Sequence, residues 1–212
     1  MLAEAYDFRD KCDPLHALLA PLPDDAFAYK TLFKNWTIDD VLGHLHQGDQ
    51  AAVATLDGDD AYAAFNAPYR EAVAQDVPLT TLTAQRLGGL KGQALLRHWR
   101  EFTGEVVRRY AELDSSKRVA WGKVRMSVRS CVSARLMETW AHGQAVYDRL
   151  GKIREEHDRI KGIAVLGVNT LGFCFANREL EPPAEKPFVR LVAPSGAIWT
   201  WSASDAHSSV EG

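Results

Sequence analysis

Glu138 and His142 stand four residues apart in Glu138-Thr139-Trp140-Ala141-His142. On a helix that spacing puts a carboxylate and an imidazole on one face, one turn apart. A second imidazole from another helix would complete three ligands around a divalent cation. Three ligands leave coordination positions open, as catalytic metal sites do. His44 and His46 both offer that imidazole. Two positions apart on a helix, they point about 200° apart and cannot easily share one ion. Gly48, one turn beyond His44, would leave room for a ligand beside it. Asp49, one turn after His46, could orient that ring as a supporting carboxylate. Periodicity does not choose between the two, and each also reads as a half-buried histidine with a satisfied hydrogen bond. The Glu138/His142 spacing is equally that of a surface pair, so it is a weak signal by itself. Met137, Trp140, Ala141 and Ala145 surround the pair and point to partly dry surroundings. There a cation would remove the cost of an unpaired buried carboxylate.

Other chemistries have less behind them. His16, His98, His157 and His207 fall on polar faces or in expected loops, where solvation is the default. The chain has no G-x-S-x-G elbow, and Ser195 belongs to a turn. Cys131, two helical turns before Glu138, reads as a small core residue. Gly88-Gly89-Leu90-Lys91-Gly92 matches neither a Walker A loop nor G-x-G-x-x-G.

The elements that must position these residues are mostly helical. Leu15, Leu18, Leu19 and Leu22 give a short apolar face after Pro14, ended by Pro21 and Pro23. Thr37 with Asp40 three residues on predicts a capped helix start. Ile38, Val41, Leu42, Leu45, Ala52 and Leu56 then recur at helical spacing, until Asp57-Gly58-Asp59-Asp60 ends the run. A weaker helix is expected over 61–75 despite Pro68, and a loop over 77–92. Leu96, Trp99, Thr103, Val106, Tyr110 and Leu113 form the clearest amphipathic seam. A turn at 114–117 and an extended or irregular stretch at 119–128 lead to a helix from about Ser130 to Leu150, capped by Gly151. A last helix is expected over 157–176. Composition shifts at Glu181-Pro182-Pro183-Ala184-Glu185-Lys186-Pro187, which reads as a linker. Beyond it Phe188–Val192 and Ala197–Trp201 alternate at period two around Pro194-Ser195-Gly196, the pattern of a β-hairpin. Two strands alone are marginal in water. The hairpin therefore needs the bundle, a partner such as a second copy in a homodimer, or further strands.

Composition sets the bounds. The 212 residues suit one large domain with or without an appendage, and 46% hydrophobic with 25% charged residues is ordinary for a globular protein. The net charge of −3 supplies no basic field for a nucleic-acid backbone. Arg97, Arg100, Arg108 and Arg109 interleave with Glu101 and Glu105, as on a solvated helix face. Cys12, Cys131 and Cys174 are odd in number and form no C-x-x-C pair, which argues against a disulfide framework or an iron–sulfur cluster and fits a reducing cytoplasm. The acidic N-terminus does not read as a signal peptide, and no apolar run approaches the ~20 residues that span a bilayer.

Two stretches carry a resemblance. Trp36-Thr37-Ile38-Asp39-Asp40-Val41-Leu42-Gly43-His44-Leu45 resembles the N-terminal signature of mycothiol-dependent maleylpyruvate isomerase and its relatives, within the wider DinB-like metal-binding superfamily. There a Trp-Thr start is followed by Asp-Val or Asp-Leu and then by the ligand histidine just before a leucine. Arg135-Leu136-Met137-Glu138-Thr139-Trp140-Ala141-His142-Gly143-Gln144 resembles the second signature. By position the resemblance assigns the metal to His44, Glu138 and His142, with His44 rather than His46 as the third ligand. It covers roughly residues 1–178.

The resemblance implies a mainly α fold: a DinB-like up-down four-helix bundle with extra helices and a short C-terminal β-hairpin. The bundle is expected over 1–178, a linker over 179–187, and the hairpin segment over 188–212 as part of a truncated small domain. It implies a divalent cation, zinc first and nickel, iron or manganese next, with a low-molecular-weight thiol of the mycothiol type as cosubstrate. The expected activity is thiol transfer or isomerisation of a small molecule, without nucleic acid or membrane as partner. The alternative is a non-catalytic metal-binding bundle of the stress-response kind. Two departures stand out: the isomerase carries a larger C-terminal domain, and relatives of this branch run further past Trp201.

Overall fold

The computed structural model describes residues 1–202 and 209–212. His207 lies outside them. The chain divides into two compact units, Met1–Arg154 and Glu155–Gly212. The division falls earlier than the 178/179 boundary that the resemblance implies, and residues 155–178 group with the C-terminal strands.

In the first unit, helix α1 (Ala3–Leu19) buries Ala5, Phe8, Cys12, Leu15 and Leu19. That alternation of three and four residues is an unbroken seam. It runs straight through Pro14, so the helix starts well before the Leu15 face at which the sequence places it. Proline removes one backbone donor, and the buried seam on both sides outweighs the loss. Helix α2 (Ile38–Ala54) begins as expected. The Thr37 side chain accepts from Asp40 N–H at 3.1 Å, and the Thr37 N–H donates to Asp40 Oδ2 at 2.9 Å. Such a cap is worth about 1 kcal/mol. One turn of tighter helix, Thr55–Asp57, follows.

Helix α3 (Asp59–Ala74) and helix α4 (Leu79–Arg86) pack on α2. Helix α4 replaces the loop expected over 77–92. It buries only Leu82 and Thr83, and Thr83 Oγ1 donates to Gln47 Oε1 at 3.0 Å. Tertiary docking, rather than an apolar period, holds those eight residues helical. Helix α5 (Gly92–Tyr110) buries the predicted seam from Leu96 to Tyr110, with Trp99, Val106 and Tyr110 fully enclosed, and Leu113 falls past its end, half-buried. Strands β1 (Arg118–Trp121) and β2 (Val124–Ser127) form an antiparallel hairpin in the stretch read as extended or irregular. Helix α6 (Val128–Arg149) closes the unit. Its end is capped at Gly151, where Lys152 N–H donates to the Tyr147 carbonyl at 2.9 Å.

Helices α1, α2, α5 and α6 make a four-helix bundle. Both α1 and α2 pack against α5 and against α6. The pairs that follow each other along the chain, α1 with α2 and α5 with α6, therefore occupy opposite corners.

In the second unit the expected single helix over 157–176 is interrupted. A short 3-10 turn at Asp158–Ile160 leads into α7 (Lys161–Asn169), and α8 (Leu171–Ala176) follows. The break falls at Thr170, whose hydroxyl donates to the Leu166 carbonyl at 2.8 Å and competes with the helical ladder. Strands β3 (Phe188–Val192) and β4 (Ile198–Trp201) form the predicted hairpin, with Val189 opposite Trp201. A third strand, β5 (Ser209–Glu211), joins β3 in parallel and gives the order β4-β3-β5. One edge of the hairpin is thus completed from within the chain. Among the described residues, no helix is long and apolar enough to cross a membrane.

Candidate metal centre

The first turns of α2 carry His44 on the face that meets α6, and the middle of α6 carries Glu138 and His142. Glu138 Oε2 lies 2.9 Å from His44 Nε2 and 3.2 Å from His142 Nε2. One donor atom from each of the three residues lies within 4.8 Å of the others. Two ligands held about 2.0–2.1 Å from one tetrahedral zinc stand roughly 3.4 Å apart. The carboxylate oxygen stands slightly closer than that to each imidazole nitrogen, at 2.9 and 3.2 Å. Two imidazole nitrogens and a carboxylate oxygen are also a donor set that zinc, nickel, iron and manganese accept. The residues fit a divalent cation.

The electrostatics favour an ionised carboxylate. Burial works against the charge on Glu138. Hydrogen bonds from His142 and His44 and the nearby Arg135 cation outweigh it, and hold the carboxyl well below its ordinary range. The three side chains keep 29%, 28% and 17% of their surface for His44, Glu138 and His142, so small molecules can reach them. The surroundings are less dry than the neighbouring residues suggest, because Ala141 faces solvent and Met137, Trp140 and Ala145 are only half-buried.

A short loop packs aromatic rings on the imidazoles. Lys30 pairs with Thr37 across its base, and Thr31 N–H donates to the Trp36 carbonyl at 2.7 Å. At its tip Lys34 (φ 51°) and Asn35 (φ 56°) adopt left-handed backbone, which is uphill for residues with a Cβ. Trp36 stacks on His142, with 5.9 Å between centroids and 12° between planes. Phe33 meets the same ring edge-on at 4.9 Å, and Trp36 contacts His44 at 5.4 Å. Trp36 is visible in sequence as part of a motif, but its contact with both rings is not. Phe33 carries no sequence signal.

His46 goes elsewhere. Its ring is fully buried against Phe102 at 5.2 Å and His98 at 4.8 Å, with Gln50 Nε2 3.2 Å from its Nε2. Burial, with the neighbouring His98, lowers its pKa to about 4, so it stays neutral. Asp49 does not orient this ring. It accepts from Arg135 Nε at 2.9 Å and from Trp99 Nε1 at 3.1 Å. Nor does Gly48 leave space for a ligand: a Cβ there would stand 2.4 Å from the Arg135 guanidinium. Burial works against the charge on Arg135, and the Asp49 and Glu138 carboxylates outweigh it and raise its pKa above the ordinary value. Arg135 is the residue that sequence reasoning missed. Its partner lies 86 positions away, and only the unusual Gly48-Asp49 step on a buried face hints at it.

The remaining candidates stay apart from the centre. Cys131 is buried, 3.1 Å from Tyr110 Oη, and burial pushes its thiol up to about 11. Cys12 is buried near Thr139, and its thiol is likewise pushed up by burial. His98 is exposed, while His16 and His157 are half-buried. Ser195 sits in its turn, hydrogen-bonded to Asp158.

Comparison with known proteins gives the family and the fold. Residues 8–147 match the family model described as the mycothiol maleylpyruvate isomerase N-terminal domain. An uncharacterized protein of Mycobacterium tuberculosis, found in both strain CDC 1551 / Oshkosh and strain H37Rv, is 37% identical over 206 residues, covering 97% of this chain and 79% of that protein. The crystal structure of the mycothiol-dependent maleylpyruvate isomerase superposes with a TM-score of 0.59 at 13% identity, covering 99% of this chain and 83% of that one. A histidine-to-alanine variant of the same isomerase gives the same TM-score at 12% identity. Those two likenesses speak for the fold. With most of the first unit inside the matched region, the chain belongs to the family of the mycothiol maleylpyruvate isomerase N-terminal domain.

Proposed function

We propose that His44, Glu138 and His142 hold a divalent cation, zinc first, and that the protein uses it to act on a small molecule with a low-molecular-weight thiol of the mycothiol type. The observation that carries the reading is the convergence of three donor atoms from two helices within 4.8 Å, partly open to solvent. When bound, such a cation supplies a Lewis acid that favours the thiolate form of a sulfur ligand at neutral pH. The chain's own residues do the rest. Glu138 offers an ionised carboxylate without first losing a proton. Phe33 and Trp36 cover the imidazoles on one side, limiting water there and leaving the approach to the opposite side. The solved relative's name supports a thiol-dependent isomerisation, and transfer of the thiol to a small electrophile is the related chemistry. A cytoplasmic setting suits a reaction that uses a reduced thiol.

Protein purified without added metal should contain close to one equivalent of a divalent ion by elemental analysis, and a His142→Ala variant should have lost it. Equal, negligible metal in both sinks the reading. In cobalt-substituted protein, titration with mycothiol should raise a sulfur-to-metal charge-transfer band. A second reading has an observation of its own: Glu138 already accepts hydrogen bonds from both imidazoles, so the three residues can satisfy one another in a non-catalytic bundle. That reading expects loss of thermal stability on chelation and no spectral response to any thiol.

A further inference from the structure

We infer that the buried Asp49–Arg135 ion pair, seated on Gly48, positions Glu138 against His44 and so sets how tightly the centre holds its cation. The inference rests on the metal reading above. The two ligand-bearing helices, α2 and α6, are packed side by side, and apolar contacts between them have no direction of their own. A slide of one residue along a helix is 1.5 Å, whereas a metal centre tolerates roughly 0.5 Å. Something directional must set the register.

Arg135 does so in two ways. Its Nε donates to Asp49 Oδ1 at 2.9 Å, and its Nη2 donates to the Leu45 carbonyl at 3.0 Å. Leu45 follows His44 directly, and Arg135 stands one helical turn before Glu138. The fork therefore ties the backbone beside one ligand to the turn beside another. Trp99 on α5 donates to the remaining Asp49 oxygen and fixes the carboxylate from a third helix. The pair keeps only 3% and 0% of its surface. Gly48 is the space the guanidinium occupies, since any side chain would stand within 2.4 Å of it. A buried ion pair is weak support for stability, and an apolar pair of similar volume often does as well. Directional register is what the apolar pair would not supply.

The test separates positioning from stability. An Asp49→Asn/Arg135→Met double variant removes both charges together and keeps an acceptor for Trp99. Val106→Ala, buried on α5, serves as the control for general destabilisation. Cobalt titrations should show the double variant binding 10- to 100-fold more weakly, with an altered ligand-field spectrum. The control should match wild-type affinity even where its melting temperature falls further. Gly48→Ala, which displaces the guanidinium but leaves both charges, should weaken cobalt binding in the same direction. In metal-free protein, imidazole nitrogen NMR should show the hydrogen bond between His44 and Glu138 lost in the double variant and kept in the control. Unchanged affinity and unchanged imidazole signals in a folded double variant would overturn the inference. If wild-type protein takes up no cobalt, the metal reading fails, and the imidazole signals alone decide whether the pair positions the two residues.

Discussion

His44 and His46 are two positions apart on one helix and meet opposite fates. His44 lies half-open beside a carboxylate and a second imidazole, under Trp36. His46 is sealed against Phe102 and His98, with Gln50 as its hydrogen-bond partner. The residue type is the same and the helix is the same. The surroundings differ: His44 meets a carboxylate at a partly open face, and His46 meets a dry wall that penalises charge. A histidine therefore announces chemistry only through its neighbours, and here those neighbours come from α6 on one side and α5 on the other.

The largest expected effect breaks the His44 side. His44→Ala or Glu138→Ala should weaken metal binding by on the order of 100-fold or more, measured by competition with a chelating dye. His46→Leu should leave that affinity within about threefold of wild type. If the two histidines prove interchangeable in this assay, the contrast is gone. On the other side, His46→Ala opens a cavity in the bundle and should cost about 2–4 kcal/mol of stability in urea denaturation, with metal stoichiometry unchanged. Thr37→Ala removes the cap of the helix that carries both residues and should cost about 1 kcal/mol, an effect the two sides share. The smallest effect probes how dry the interior is. At pH 8 a thiol reagent should label Cys174, which is exposed, and spare Cys12 and Cys131. Burial holds those two thiols protonated, with Cys131 not ionising until about pH 11. Rapid labelling of all three would mean that the bundle opens readily.

What the sequence made legible was local. The reciprocal cap at Thr37 and Asp40 is a contact between residues three apart, and it located α2. The seam of α5 is periodic over many turns, so it survived in the structure. The Glu138–His142 spacing is likewise helical arithmetic. The rest depends on partners distant in the chain. Thr83 docks on Gln47 and makes a helix where threonines and glycines suggest a loop. Arg135 takes Asp49 from His46, and its guanidinium takes the space beside Gly48. Phe33 reaches His142 across more than a hundred residues. Choosing His44 over His46 needed the resemblance, because the period alone leaves both at an edge of the apolar face.

Because α1 and α2 occupy opposite corners of the bundle, the segment joining them has to run across its end. That segment includes the short helix Asp24–Ala28, which packs on α2 and α5, and then the loop that bears Phe33 and Trp36. The connector and the cover of the centre are one stretch of chain. Evolution cannot shorten, lengthen or restyle this crossing without also altering the aromatic cover over His44 and His142.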